Sequence, residues 1–406
     1  MSAGSRMRKK PKLLFDLTPL DTPSGPRGIG RYIRELARGL SELPSDELAG
    51  IDLVGLTSLG WDGSYKTTED IGSFDGYMKS PPTERDFYVW AYRQRVALWM
   101  AAKRIGATAV HVLDPHATPL FLRRAGIKKI VTCYDLVPTR LPDHYFGPGD
   151  GGQVGGKLIE RRRYRSADLV VAISEATRDD VCRLLGMAPE RVVRVYAGLD
   201  LTPWSSALQP GAVALTLERY GLTRRPFALY VGGADWRKNT EGMMGGIARA
   251  KSLGVDLDLV WAGHLAPNHV ANVEAAARAA GVFGSLKRLG YVVDDDLVAL
   301  YRAAVAHLFV SRLEGFGLTI VEAMAAGCPV VTTAAGSLAE VAGDAALTVD
   351  PEDHAAIGDA LARLAREPKL REDCVRKGRD RAPKFSRAAL AKGTAEVYRR
   401  FLASRS

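Results

Sequence analysis

The chain has 406 residues, of which 47% are hydrophobic and 25% charged, with a formal net charge of +10. That length exceeds one ordinary core, so two domains are expected, and the composition excludes a disordered or fibrous polymer. A pI near 9.4 favours polyanionic partners, yet no nucleic-acid-binding motif accompanies it, which leaves nucleotide diphosphates and anionic lipid surfaces. The basic excess is local, at Arg6, Arg8, Lys9, Lys10 and Lys12 and again at Arg161, Arg162, Arg163 and Arg165. No apolar run approaches the roughly 20 residues that cross a bilayer. The polar, basic start leads into Leu13-Leu14-Phe15-Asp16-Leu17, too short for a secretory core. Cys133, Cys182, Cys328 and Cys374 lack metal or redox spacing. A reduced, cytoplasmic protein is the expectation.

In chain order, Lys12 to Leu17 reads as a strand, Pro19 to Gly28 as a Pro/Gly loop, and Ile29 to Leu43 as a helix. Where that loop joins the helix, Gly28 and Gly30 carry only part of a dinucleotide fingerprint, because Ile33 stands at its third position. Ile51 to Thr57 is a second strand, and Trp61 to Arg85 a long irregular excursion. Glu84 to Arg104 mixes aromatic and basic residues, with Tyr88, Tyr92, Val96 and Trp99 on one helical face. That face suits core packing, and such a helix could also lie on an anionic membrane. Further strands are expected at Ala109 to Leu113, Lys129 to Tyr134, Leu169 to Ile173 and Val192 to Tyr196. His111 alternates with apolar strand residues and reads as packed, whereas His116 follows the strand and Pro115, where it can meet a sugar. Asp135, in Tyr134-Asp135-Leu136-Val137-Pro138, is an acceptor-site candidate that could equally cap a turn.

Residues 202–225 lack a clear pattern and carry Pro203 and Pro210, so the interdomain linker is placed there, between a first domain of residues 1–201 and a second of 226–384. The second series of strands begins at Phe227-Ala228-Leu229-Tyr230-Val231-Gly232-Gly233 and continues through Asp258 to Ala262, His307 to Val310 and Pro329 to Thr333. Two successive doubly wound α/β halves imply ligand sites at the carboxyl ends of their strands, with a cleft between them. The last segment, Phe385 to Leu402 within a terminal helix of residues 385–406, could cross back to the first domain.

The most informative stretch runs from Glu314 through Gly315-Phe316-Gly317-Leu318 to Glu322-Ala323-Met324-Ala325-Ala326-Gly327. A strand ends at Ser311, the glycines make a turn, and a helix runs from about Leu318 to Ala326, stopped by Gly327 and Pro329. A glycine turn into a helix N-terminus suits close approach of an anion. Two glutamates beside a phosphate would repel it, so Glu314 and Glu322 suit hydroxyls: a sugar for the first and a ribose for the second. Neutralisation then falls to Arg237 and Lys238, in the loop Gly232 to Asn239 after the second domain's first strand. This arrangement needs no metal. Asp256 and Asp258 lie at a strand edge, and Asp294-Asp295-Asp296 reads as an N-cap cluster, so no metal site is expected.

These motifs resemble the retaining glycosyltransferases of family 4, which have the GT-B architecture. The likeness rests on the paired glutamates around Gly-Phe-Gly-Leu and Glu-Ala-Met-Ala, and on Arg237-Lys238-Asn239, Ile173-Ser174-Glu175, Tyr196-Ala197-Gly198-Leu199-Asp200 and Gly290-Tyr291-Val292. It extends from Gly28 to the last helix. By resemblance, Glu322 holds the ribose, Glu314 the donor sugar, Phe316, Gly317 and Leu318 offer backbone amides, Val292 lies against the base, and Gly28 and Gly30 face the diphosphate. Many relatives carry His-Asp-Leu where this chain has Tyr134-Asp135-Leu136, which puts that histidine's role in doubt here.

The reading is a GT-B enzyme that transfers a hexosyl-type group, with retention, from a GDP- or UDP-sugar to a hydroxyl acceptor. No other cofactor is expected. The subset with Gly-Ile-Gly-Arg-Tyr and Asp-Leu-Val-Pro is similar to bacterial polysaccharide-assembly enzymes, often mannosyl- or rhamnosyltransferases, so a lipid-linked saccharide acceptor and peripheral contact with an anionic membrane come with it. The alternatives are a non-hydrolysing sugar-nucleotide epimerase of the same fold and a non-catalytic nucleotide-sugar-binding scaffold.

Overall fold

The computed structural model describes residues 10–403 apart from 23, 49, 60–63, 77–83, 120–125 and 146–151; the side chains of 59, 84–93, 152–157 and 159 are also outside the description. The chain divides into two compact units, residues 1–199 together with 387–406, and residues 200–386. No helix among the described residues is long and apolar enough to cross a membrane.

The first unit is a seven-stranded sheet. Its strands are β1 (Lys12–Asp16), β2 (Asp52–Leu59), β3 (Tyr65–Thr68), β4 (Ala109–Val112), β5 (Lys128–Cys133), β6 (Leu169–Ala172) and β7 (Val192–Arg194). They lie in the order β3-β2-β1-β4-β5-β6-β7, all parallel except β3, which runs antiparallel to β2. Helices cover both faces of a parallel sheet, so its central strands are apolar on both sides. Accordingly Leu13, Leu14, Phe15, Val110, Val112, Ile130, Val131, Val170 and Val171 have no exposed surface.

Helix α1 (Gly28–Ser41) buries Tyr32, Ile33, Leu36, Ala37 and Leu40 at helical spacing. Helix α2 (Glu84–Ile105) buries Leu98, Ala101 and Ala102 against the core, while Val96 is 46% exposed. This corrects the expectation that Val96 lies on the packing face. Trp99 is half-buried against the same core, whereas the Tyr88 and Tyr92 side chains lie outside the described residues. The short helices α3 (Val137–Arg140) and α4 (Pro142–Tyr145), then α5 (Gly152–Arg165) and α6 (Glu175–Leu185), complete this part of the chain.

The second unit opens with α7 (Thr202–Ser205) and α8 (Ala212–Arg219), so the stretch read as a linker carries two helices. Six parallel strands follow: β8 (Phe227–Val231), β9 (Asp258–Ala262), β10 (Leu286–Gly290), β11 (Ala306–Phe309), β12 (Val330–Thr333) and β13 (Ala346–Val349). Their order is β10-β9-β8-β11-β12-β13, the doubly wound dinucleotide-fold order. Between them run α9 (Thr240–Ser252), α10 (Pro267–Ala279), α11 (Asp294–Ala303), α12 (Leu318–Ala326) and α13 (Leu338–Ala342), and after β13 come α14 (His354–Arg366) and α15 (Pro368–Arg381). The aspartates expected to cap α11 instead fill its first turn, with Val293 at the cap. Asp296 accepts from Arg219 at 2.7 Å and from Tyr220 at 3.0 Å, tying α8 to α11. Asp256 and Asp258 are likewise ion-paired, with Arg225 at 3.3 and 3.6 Å.

The last helix, α16 (Arg387–Ala403), belongs to the first unit. Gly39 admits it to α1: a Cβ there would lie 2.9 Å from both Ala391 Cβ and Arg387 Cγ. Arg387 donates to Glu35 at 2.7 Å and Glu42 at 3.0 Å. Deeper in, the Tyr398 hydroxyl meets His111 Nδ1 at 2.6 Å, and His111 Nε2 meets Thr132 Oγ1 at 2.9 Å. His111 is thus a packed histidine.

Burial lowers the pKa of His111 to about 3 and that of His307, on β11, to about 4. Both folded values lie below the unfolded value near 6.5, so the unfolded chain binds more protons through that window. This contribution to stability is complete above pH 6.5 and is lost as pH falls toward 4. Denaturant midpoints of the second unit's transition should therefore drop between pH 7 and 4.5, and the slope should flatten in His307→Asn. A wild-type midpoint that does not fall on acidification would contradict this.

Candidate active site

In an open doubly wound sheet, ligands sit beyond the carboxyl ends of the strands where the strand order reverses. In the second unit that point lies between β8 and β11, and the two loops leaving it carry Arg237, Lys238 and Glu314. The loop after β8 is held from below: Tyr230 donates to Gly233 O at 2.7 Å and Trp261 Nε1 to Gly232 O at 3.1 Å. Asn239 closes it in the left-handed conformation, with φ of 60°. Its fully buried amide donates to Val310 O and Pro351 O at 3.0 and 2.7 Å and accepts from Gly242 N at 3.1 Å. One side chain therefore caps α9 and pins this loop to the segments leaving β11 and β13. The backbone bond from Arg312 N to Arg237 O, 2.7 Å, joins the two loops directly.

Glu314 is 8% exposed and lies between the two cations, accepting from Arg237 Nη1 at 2.7 Å and from Lys238 Nζ at 2.6 Å. Burial alone would raise its carboxyl pKa, but the charges of Lys238 and Arg237 outweigh it and hold the group below the usual carboxylate range. Asp235 adds a second carboxylate 3.0 Å from Arg237 Nε. With two positive and two negative groups the cluster sums to zero.

Behind it, Gly317 has φ of 95° and precedes α12, whose N-terminus has no side-chain cap. Uncapped first-turn N–H groups and the helix dipole suit an anion. The loop after β12 buttresses this turn: Ser337 donates to Glu314 O from N and Oγ at 3.3 and 3.2 Å. Phe316 is buried edge-on against Phe385, centroids 5.5 Å apart, so its side chain packs and only its backbone can serve a ligand. Glu322, one turn into α12, is 1% exposed and accepts from the Tyr301 hydroxyl at 3.0 Å.

Val292 is buried, whereas its neighbours Tyr291 and Val293 are 75% and 50% exposed.

In the first unit the equivalent reversal lies between β1 and β4. Gly28 opens α1 on the exposed surface, where an added Cβ would meet nothing within 4 Å, while Gly30 is buried and a Cβ there would sit 2.0 Å from Gly25 O. The glycine at 30 thus serves close backbone packing. His116 follows β4 and is paired with Asp114, Nδ1 to Oδ1 at 2.9 Å. Asp135 Oδ1 accepts from Val137 N at 3.1 Å at the start of α3, the capping alternative raised by the sequence. Sequence reasoning did not single out Asn239, Tyr301 or Asp114. Of these, only Asn239 left a signal, as the third residue of Arg-Lys-Asn.

Two family models cover most of the chain: Glycosyltransferase Family 4 matches residues 26–203, and Glycosyl transferases group 1 matches residues 218–381. The O-antigen chain mannosyltransferase B of Escherichia coli is 27% identical over 394 residues, 92% of this chain and 96% of that protein. Among solved structures, sucrose-phosphate synthase from Thermosynechococcus elongatus aligns with a TM-score of 0.76 at 19% identity, over 97% of this chain and 100% of its own. Anabaena HepE in complex with UDP-glucose gives 0.70 at 16% identity, over 96% and 99%.

Proposed function

The chain belongs to the family 4 glycosyltransferases with the GT-B fold, and from that premise we propose that it moves a hexosyl-type sugar, with retention, from a nucleotide diphosphate sugar to a hydroxyl acceptor. The second unit binds the donor and the first unit the acceptor. The observation that carries this reading is the buried Glu314 carboxylate clamped by Arg237 and Lys238 beside the uncapped start of α12. The carboxylate holds the cations in place. When the diphosphate enters, the guanidinium and ammonium turn to its oxygens and Glu314 accepts from sugar hydroxyls. As the glycosyl–oxygen bond breaks, the acceptor oxygen bonds the same carbon from the same face and its proton passes to the leaving phosphate, whose growing charge the two cations stabilise more than the ground state. Glu322, fixed by Tyr301, accepts from the ribose hydroxyls, and the amides of Phe316, Gly317 and Leu318 face the phosphates. The scheme invokes no metal: the two cations and the start of α12 meet the diphosphate.

The mannosyltransferase relative makes GDP-mannose the first donor to test, and the UDP-glucose complex of HepE makes UDP-glucose the second. The acceptor is a saccharide hydroxyl of the kind met in polysaccharide assembly, reached in the cytoplasm or, for a lipid-linked chain, at an anionic membrane face. Thermal shift against GDP, UDP and their sugars should raise the melting temperature for one base only, because tight binding adds stability by mass action. Proton NMR of the product linkage should then show the donor's anomeric configuration. An inverted linkage would overturn the retaining mechanism, and no shift with any nucleotide would overturn the donor site.

A further inference from the structure

A buried carboxylate that receives two hydrogen bonds from one histidine is an orienting device, and the first unit has one at its strand-order reversal. Asp114 has no exposed surface, and its Oδ1 accepts from both His116 N and His116 Nδ1, each at 2.9 Å. Its other oxygen accepts from Ser24 Oγ at 3.3 Å, in the loop before α1. The His116 ring is 38% exposed. The turn carrying it is held on two more sides: Arg95 Nε donates to His116 O at 3.0 Å and the Tyr134 hydroxyl to Leu113 O at 2.8 Å. Tyr134 thus supports the turn that bears His116.

The geometry points to Asp114 as a positioning residue for the transfer proposed above: it fixes the neutral His116 ring with the proton on Nδ1, so that Nε2 offers a lone pair to a sugar hydroxyl. A carboxylate can only accept, so the Nδ1 position beside it must carry hydrogen, and the other ring nitrogen is then the acceptor. The charge state of Asp114 agrees. Burial works to raise its carboxyl, but the side-chain bond from His116, the charge that ring can carry, and the bonds from His116 N and Ser24 hold it below the usual range. The neighbouring buried Asp16 goes the other way, to about 7, through burial and the Asp114 charge, against the opposing bonds from Thr18. The pair therefore keeps its negative charge on the member that faces the histidine.

The test is nitrogen-15 NMR of the histidine rings of the full chain at pH 9, where imidazoles are neutral, with His116→Gln identifying the His116 signals. The wild type should show the Nδ1–H tautomer at His116. Asp114→Ala should move it toward Nε2–H, the form an unconstrained imidazole prefers. In the same variant kcat should fall at least about tenfold, with the donor KM within twofold. Asp114→Asn, whose amide oxygen can still accept, should retain part of both and guards against a folding defect. An Nε2–H signal in the wild type, or an unchanged tautomer in Asp114→Ala, would overturn the positioning role. A switched tautomer with unchanged kcat would overturn the use of that lone pair in the reaction. Loss of all donor binding would instead strike at the second unit's site, which the tautomer signal does not report.

Discussion

Lys238→Ala should lower kcat by about 10²- to 10³-fold, the usual loss when one fixed donor is removed from a developing negative charge. The ammonium is 13% exposed and lies 2.6 Å from Glu314, so the chain has already met the cost of desolvating it. Arg237 still pairs with Glu314 at 2.7 Å in the variant, so no buried carboxylate is left alone and the melting temperature should change little. The donor KM should rise less than kcat falls, because the charge on the leaving phosphate grows only as the bond breaks. Steady-state kinetics with the donor found by thermal shift would check this. A variant with unchanged kcat would remove Lys238 from the reaction.

Glu314→Gln should separate binding from turnover in opposite directions. The wild-type cluster of Arg237, Lys238, Glu314 and Asp235 sums to zero, and the substitution takes it to +1. A nucleoside diphosphate then no longer competes with a carboxylate for the same cations. Its affinity should rise, by up to about tenfold for one charge partly screened by solvent. Turnover should fall by about 10²-fold or more, since the amide is a weaker acceptor for the sugar hydroxyls than the carboxylate. Titration calorimetry with GDP and UDP, beside kcat, reads both arms. Weaker nucleotide binding together with lost activity would mean that Glu314 mainly holds the cations in place.

How much of this was legible in the sequence follows from burial. The strands in the middle of each sheet, such as β1, β5, β8 and β12, are buried on both faces around an apolar centre and stood out at once. The three missed strands, β3, β10 and β13, are all sheet edges. Tyr-Lys-Thr-Thr and Leu-Lys-Arg-Leu-Gly have a solvated side to satisfy and carry little apolar periodicity. Helix α12 was readable to its ends because Gly317 and Gly327, at φ of 95° and 80°, mark both caps. The side chains of Arg237, Lys238 and Glu314 were singled out from their loops, but their mutual pairing depends on β8 and β11 being neighbours, which no local pattern encodes. The hold of Asp114 on His116 was local and still missed, because an Asp-Pro-His triplet also reads as an ordinary turn.

The return of α16 to the first unit makes the second unit an uninterrupted insert within it. A fragment of residues 200–386 can be cut as one continuous piece. No such piece reproduces the other lobe, whose final helix supplies Tyr398 to His111 and Arg387 to Glu35. A ribosome would thus release the nested lobe complete before its host had all its parts, and the host's assembly would wait on α16.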